Sequence, residues 1–109
     1  MDRIAVRTLM SAEEVIFHRL AAKEYRAALR RYNKRSPTVA NQFCASVDLA
    51  VNTIRNRCDA LPKLIADYRY VRVGRFPYVL IFRNIDANYI KVVAVAHTSR
   101  RTGYWLRRT

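Results

Sequence analysis

Residues 68–83, YRYVRVGRFPYVLIFR, and residues 89–105, YIKVVAVAHTSRRTGYW, decide how the rest of the chain is to be read. Tyr68 to Val73 interleaves cations with apolar side chains, and the three-residue spacing of Arg69 and Arg72 puts them on opposite faces of a strand. Gly74 to Pro77 turns or bulges the chain. Tyr78 to Phe82 is apolar on both faces, as a strand buried in mid-sheet must be, and residues 84–88 (NIDAN) turn it into a last strand, Tyr89 to His97. A cationic, aromatic tail with Arg100, Arg101, Tyr104 and Trp105 follows.

Upstream of this block the period changes. Glu14 to His18 is short and β-branched at Val15 and Ile16, which favours a first strand. From Leu20 to Lys34 an apolar stripe of Ala21, Tyr25, Ala28, Leu29 and Tyr32 marks a helix, with Lys23, Arg26, Arg30 and Arg31 off the stripe. Ser36 followed by Pro37 starts a second helix, since the hydroxyl caps free amides and proline fits the first turn. Its seam of Val39, Phe43, Val47, Ala50, Ile54, Cys58 and Leu61 carries it to about Asp59. Pro62 ends it, and Lys63 to Asp67 reads as a connection. The order β-α-α-β-β-β defines an α+β domain, an N-terminal helical hairpin packed on an antiparallel-rich sheet whose other face is partly open. Residues 1–12 read as an N-terminal extension and 13–109 as a single domain, and translation could start at Met1 or at Met10.

With 109 residues, 51% of them hydrophobic, the chain suffices for one core. The net charge is +13, from 21 Lys and Arg against 8 Asp and Glu, and it concentrates late: residues 61–109 hold ten basic and two acidic side chains. Such a balance calls for a polyanion or an acidic protein as partner. Of the cations 17 are Arg, whose planar fork matches phosphate and carboxylate, although an arginine-biased proteome gives the same ratio. No window approaches the ~20 uncharged apolar residues of a membrane span, and the first ten residues lack a signal-peptide core, so a cytoplasmic protein is expected. Cys44 and Cys58 fall on one expected helix, roughly 21 Å apart, beyond disulfide reach. No metal or cofactor is expected: ligand spacing is lacking, two glycines make no phosphate-cradling loop, and the eight acids form no catalytic constellation.

Arg69, Arg72, Arg75 and Arg83 come from neighbouring strands, and Arg100, Arg101, Arg107 and Arg108 from the tail. They define a basic groove, with Tyr68, Tyr70, Tyr78, Tyr104 and Trp105 as planes for bases or partner side chains. The plainer reading makes the cations solvated strand faces and the aromatics core. His97, beside Ser99 and Arg100, is a candidate general base for RNA phosphodiester cleavage, with arginines stabilising the added charge, or an ordinary hydrogen-bonded residue at a strand end. His18 has a weaker claim.

The segments AAKEYRAALRRYNKRSPTVANQF, YRYVRVGRFPYVLIFR and VVAVAHTSRRTGYW, in this order, resemble the RelE/ParE superfamily of toxins from bacterial type II toxin-antitoxin systems. The resemblance covers residues 13–105. It implies an acidic antitoxin partner, a possible toxin-antitoxin hetero-oligomer, and one of two targets: DNA gyrase in ParE-like members, or mRNA on the ribosome, which RelE-like members cut. For the RNA-cleaving alternative the resemblance puts Arg72 at a cationic position of the middle strand, Arg100 or Arg101 at the late arginine and Tyr104 at the tyrosine. With His97 as the candidate base the catalytic set is Arg72, His97, Arg100 and Tyr104, whereas Arg69, Arg75, Arg83, Arg101 and Trp105 are target-binding candidates. After the tyrosine of the FPY turn, where RelE has a functional arginine, this chain has Val79. Together with RFPYVLIF and AHTSRR, that departure places the chain nearer the ParE-like, gyrase-inhibiting, plasmid-stabilising branch. A non-toxic basic nucleic-acid-binding module is the third reading.

Overall fold

The computed structural model describes residues 14–108. The expected extension over residues 1–12 and the choice between Met1 and Met10 lie outside the described residues. Strand β1 (Glu14–Phe17) leads into helices α1 (Arg19–Arg35) and α2 (Pro37–Arg57), a 3-10 turn (Cys58–Ala60), and strands β2 (Lys63–Ile65), β3 (Tyr68–Arg72), β4 (Tyr78–Asn84) and β5 (Tyr89–His97). The strands form one sheet in the order β1-β5-β4-β3-β2, with β1 parallel to β5 and the other pairs antiparallel.

The α+β architecture and the helical hairpin are as the sequence indicates. One element differs: residues 63–67, read as a connection, hold the short edge strand β2 and its turn into β3. Ala66 makes that turn at φ +52°, a left-handed conformation that costs a residue with a Cβ roughly 1 kcal/mol. No glycine or asparagine announces it.

Ser36 joins the helices. Its N–H closes α1 onto the Tyr32 carbonyl at 2.9 Å, and its Oγ accepts the Val39 N–H at 3.3 Å to open α2, with Pro37 in the first turn. At the other end of α1 the cap is His18, whose Nδ1 accepts the Leu20 N–H at 3.0 Å. The hairpin lies on one sheet face and buries Phe43, Ile54, Leu80, Phe82 and Val95 against it. Phe43 is the hub, its ring 5.1 Å from that of Tyr32, 5.2 Å from Phe76, 5.5 Å from Tyr78 and 5.8 Å from Tyr25.

The opposite face has its own apolar cluster of Tyr68, Ile81, Val93, Ala94, Ala96 and Trp105. The tail folds back over it in a series of turns, with Trp105 fully buried and its ring 4.7 Å from Tyr68. Trp105 could be read from the sequence either as a stacking plane or as core, and here its indole packs as core. No helix covers this face, so a large indole from the tail closes it. A bulge in β5 serves the same end. Ile81 pairs with Ala94 but Phe82 with Val92, leaving Val93 as an extra residue, so Val93 and Ala94 both join the Trp105 cluster.

Candidate functional site

Beyond Val92, β5 no longer has β1 beside it, and its edge amides and carbonyls need other partners. Glu24 of α1 and Arg108 of the tail supply them. Glu24 Oε1 accepts the Val95 N–H at 2.9 Å, while Arg108 Nη1 donates to the Val93 carbonyl at 3.0 Å. The two side chains pair through both oxygens at 3.0 Å, and the Tyr104 hydroxyl donates to Glu24 Oε2 at 2.8 Å. Both partners are largely shielded, with side-chain exposures of 14% for Arg108 and 18% for Glu24. Burial first, and then the bond to Glu24, push the Tyr104 phenol from 10.0 up to about 12. Arg100 lies over the Tyr104 ring at 3.9 Å and Arg108 at 5.0 Å.

Tyr78 and His97 are opposite each other on β4 and β5, on the helix face, with rings 5.2 Å apart and nearly perpendicular at 81°. Arg31 donates to the Tyr78 hydroxyl. His97 Nδ1 accepts the Ser99 N–H at 3.1 Å and lies 2.8 Å from Ser99 Oγ. That backbone donor fixes the neutral ring with its proton on Nε2, so Nε2 is a hydrogen-bond donor. Around these residues lies an open cleft of about 410 Å³ lined by Arg31, Tyr32, Lys34, Arg35, Tyr78 and His97. It adjoins a second lobe of about 310 Å³ with Glu24, Ser99 and Arg100 in its wall.

A separate cleft of about 160 Å³ opens on the tail face, with Tyr70, Val79, Ala96 and Trp105 in its wall and Arg100 and Arg101 among its lining. Val79 therefore lies among apolar neighbours where the RelE pattern would place a cation. Arg72 pairs with Val79 across β3 and β4 and shares its face. Of the set assigned to RNA cleavage, His97, Arg100 and Tyr104 line this cleft together, and Arg72 is the member outside its lining. His97 packs on the helix face, Arg72 projects from the tail face, Tyr104 bonds to Glu24, and Arg100 covers the Tyr104 ring.

The remaining candidates scatter as well. Arg69 Nη1 donates to the Leu61 carbonyl and holds the chain leaving α2. Arg83 is half-buried over the Tyr68 ring at 5.5 Å, with Asp67 at 3.9 Å. Arg75 and Arg101 are exposed. Missing from the sequence-derived site are Glu24, Arg31, Lys34, Arg35 and Tyr78's hydroxyl. Arg31, Lys34 and Arg35 had a readable signal: their spacing of three and four places them on one helix side. Glu24 had none, because its partners Val95 and Arg108 are remote in sequence. Among the described residues no group of acids, histidines and cysteines could hold a metal ion, and no helix is long and apolar enough to cross a membrane.

A helical hairpin on one face of a five-stranded, mostly antiparallel sheet, with a basic tail closing the other, is the architecture that the resemblance to the RelE/ParE class implies. The family model described as ParE toxin of type II toxin-antitoxin system, parDE, matches residues 15–102, and the chain belongs to that family. A similar fold is seen in a solved chain of the chromosomal ParDE TA system from P. aeruginosa. The two superpose with a TM-score of 0.67 at 16% identity, covering 80% of this chain and 97% of that one. Comparison with curated proteins gave no match.

Proposed function

We propose that this toxin arrests growth by binding and inhibiting DNA gyrase, and that an acidic antitoxin restrains it in a cytoplasmic hetero-oligomer. The observation that carries this reading is the ParE family match across residues 15–102, which takes in both helices and, from Val15 of β1 onward, the strands of the sheet. The geometry supports a binding protein over a nuclease. Cleavage by the assigned set needs a base, a charge stabiliser and a proton donor within reach of one phosphate, whereas Arg72 lies outside the cleft that His97, Arg100 and Tyr104 line, and the Tyr104 phenol is committed to Glu24. An acidic antitoxin fits the net charge of +13, since opposite charge speeds capture.

Inducible expression, with and without the adjacent reading frame, tests the pairing. Expression alone should stop growth, and co-expression of the neighbour should restore it. Undisturbed growth at high levels of folded protein would leave a basic binding module with no toxicity and would overturn the proposal.

A further inference from the structure

We propose that the cleft between the C-terminal turn of α1 and the end of the sheet is an oxyanion site that takes a phosphoryl group. This reading stands apart from the choice of gyrase as target, because it rests on the donors alone. Arg31, Lys34 and Arg35 enter the cleft from α1, Tyr78 and His97 from the sheet, and Arg100 from the tail through the adjoining lobe. Lys34 and Arg35 also complement the carbonyl end of the helix, which needs no ligand. The other groups are not explained that way.

The Tyr78 hydroxyl already accepts from Arg31, so its own proton is directed elsewhere. The His97 Nδ1 is taken by Ser99, which leaves Nε2–H as the ring's other polar group. Glu24 is the one carboxylate in the lining, and its oxygens are saturated: Oε1 takes Val95 N–H and Arg108, Oε2 takes Tyr104 and Arg108. The cleft therefore offers cations and donors from three directions with no carboxylate acceptor to spare. A cation or an amine finds no free carboxylate there. A tetrahedral oxyanion, with acceptors pointing to all three sides, matches the donor set better than a planar carboxylate does.

The test is titration of the full chain with inorganic phosphate and pyrophosphate, followed by the 15N-edited NMR signals of the His97 ring. A dithymidine dinucleotide with and without a 5′-phosphate distinguishes a terminal phosphate from a backbone diester as the preferred source. Phosphate should shift the His97 Nε2 signal, and Arg31→Gln should weaken pyrophosphate binding about tenfold. Lys34→Gln, which leaves the Arg31–Tyr78 bond in place, should weaken it about fivefold. Arg57→Gln removes the same charge at the far end of α2 and should cost less than about twofold. An equal loss in Arg57→Gln and Lys34→Gln, an unmoved His97 signal, or tighter binding of a triglutamate peptide than of pyrophosphate would each overturn the assignment.

Discussion

Glu24 joins three parts of the chain that are far apart in sequence: its own helix, the unpaired edge of β5 at Val95, and the tail through Tyr104 and Arg108. Removing one partner of so shielded a pair leaves a charge and several donors without acceptors, so Glu24→Ala should destabilise the fold by about 3 kcal/mol in urea unfolding. The chain has one tryptophan, and the emission of Trp105 should move to longer wavelength in this variant as the tail loosens. Tyr104 adds a pH signature. Its folded-state phenol is raised from 10.0 to about 12, so its contribution is complete below pH 10 and is lost as the pH climbs from there through about 12. Ultraviolet titration should show Tyr104 ionising late together with Tyr25 and Tyr32, whose phenols burial also raises, and Tyr104→Phe should remove one of these late steps and its share of the alkaline loss of stability. At this scale the sequence was only partly legible. Alternation placed Arg69 and Arg72 on opposite faces, but nothing local marked Trp105 as core or Glu24 as a partner of the tail, because both facts depend on how the tail folds back.

Among the elements, the helices and the long strands could be read from period alone, since apolar spacing reports burial directly. The Tyr89–His97 strand has the bounds expected of it. β2 could not be read, since its turn uses Ala66 in a left-handed conformation that sequence signals assign to glycine or asparagine. Ala66→Gly should accordingly raise stability by about 0.5 kcal/mol, the relief of strain being offset in part by the greater freedom of the unfolded chain, as measured by the urea midpoint. Gly74, at φ +51°, is the opposite case: a Cβ there would approach Ser46 Oγ of α2 to 2.7 Å, and Gly74→Ala should destabilise by about 2 kcal/mol. The start of α1 carries an acid-sensitive cap. Burial, then the nearby charges of Lys91, Arg108 and Arg19, hold His18 below its usual value of 6.5 against an opposing pull from Glu24. A depressed imidazole contributes stability above the unfolded value and loses it as pH falls through the folded one. Protonation takes up the Nδ1 lone pair that accepts Leu20 N–H, so acid should fray α1 from its first turn, a loss of about 1 kcal/mol seen as faster amide exchange at residues 20–22. His18→Asn should keep the cap and remove the pH dependence.

For the molecule as a whole, the net charge of +13 is the feature that composition alone made plain, and the two sheet faces divide its use. On the helix face, cations from α1 gather around Tyr78 and His97; on the tail face, Arg72 and Arg101 stand near the cleft that Val79 lines, and Arg100 borders both. Val79 was the residue in the sequence that argued against a RelE-type nuclease; it lines a cleft with Tyr70, Ala96 and Trp105 on the one hand and Arg100 and Arg101 on the other. Association with an acidic partner should be fast and strongly salt-dependent, its on-rate falling by about tenfold or more between 50 mM and 500 mM salt in stopped-flow mixing. The most direct measurement is gyrase-catalysed supercoiling of relaxed plasmid in the presence of the purified chain. Inhibition that rises with toxin concentration and disappears when the neighbouring antitoxin is added is the expected result; full supercoiling at saturating protein, with new 5′ ends on ribosome-bound mRNA, would contradict it.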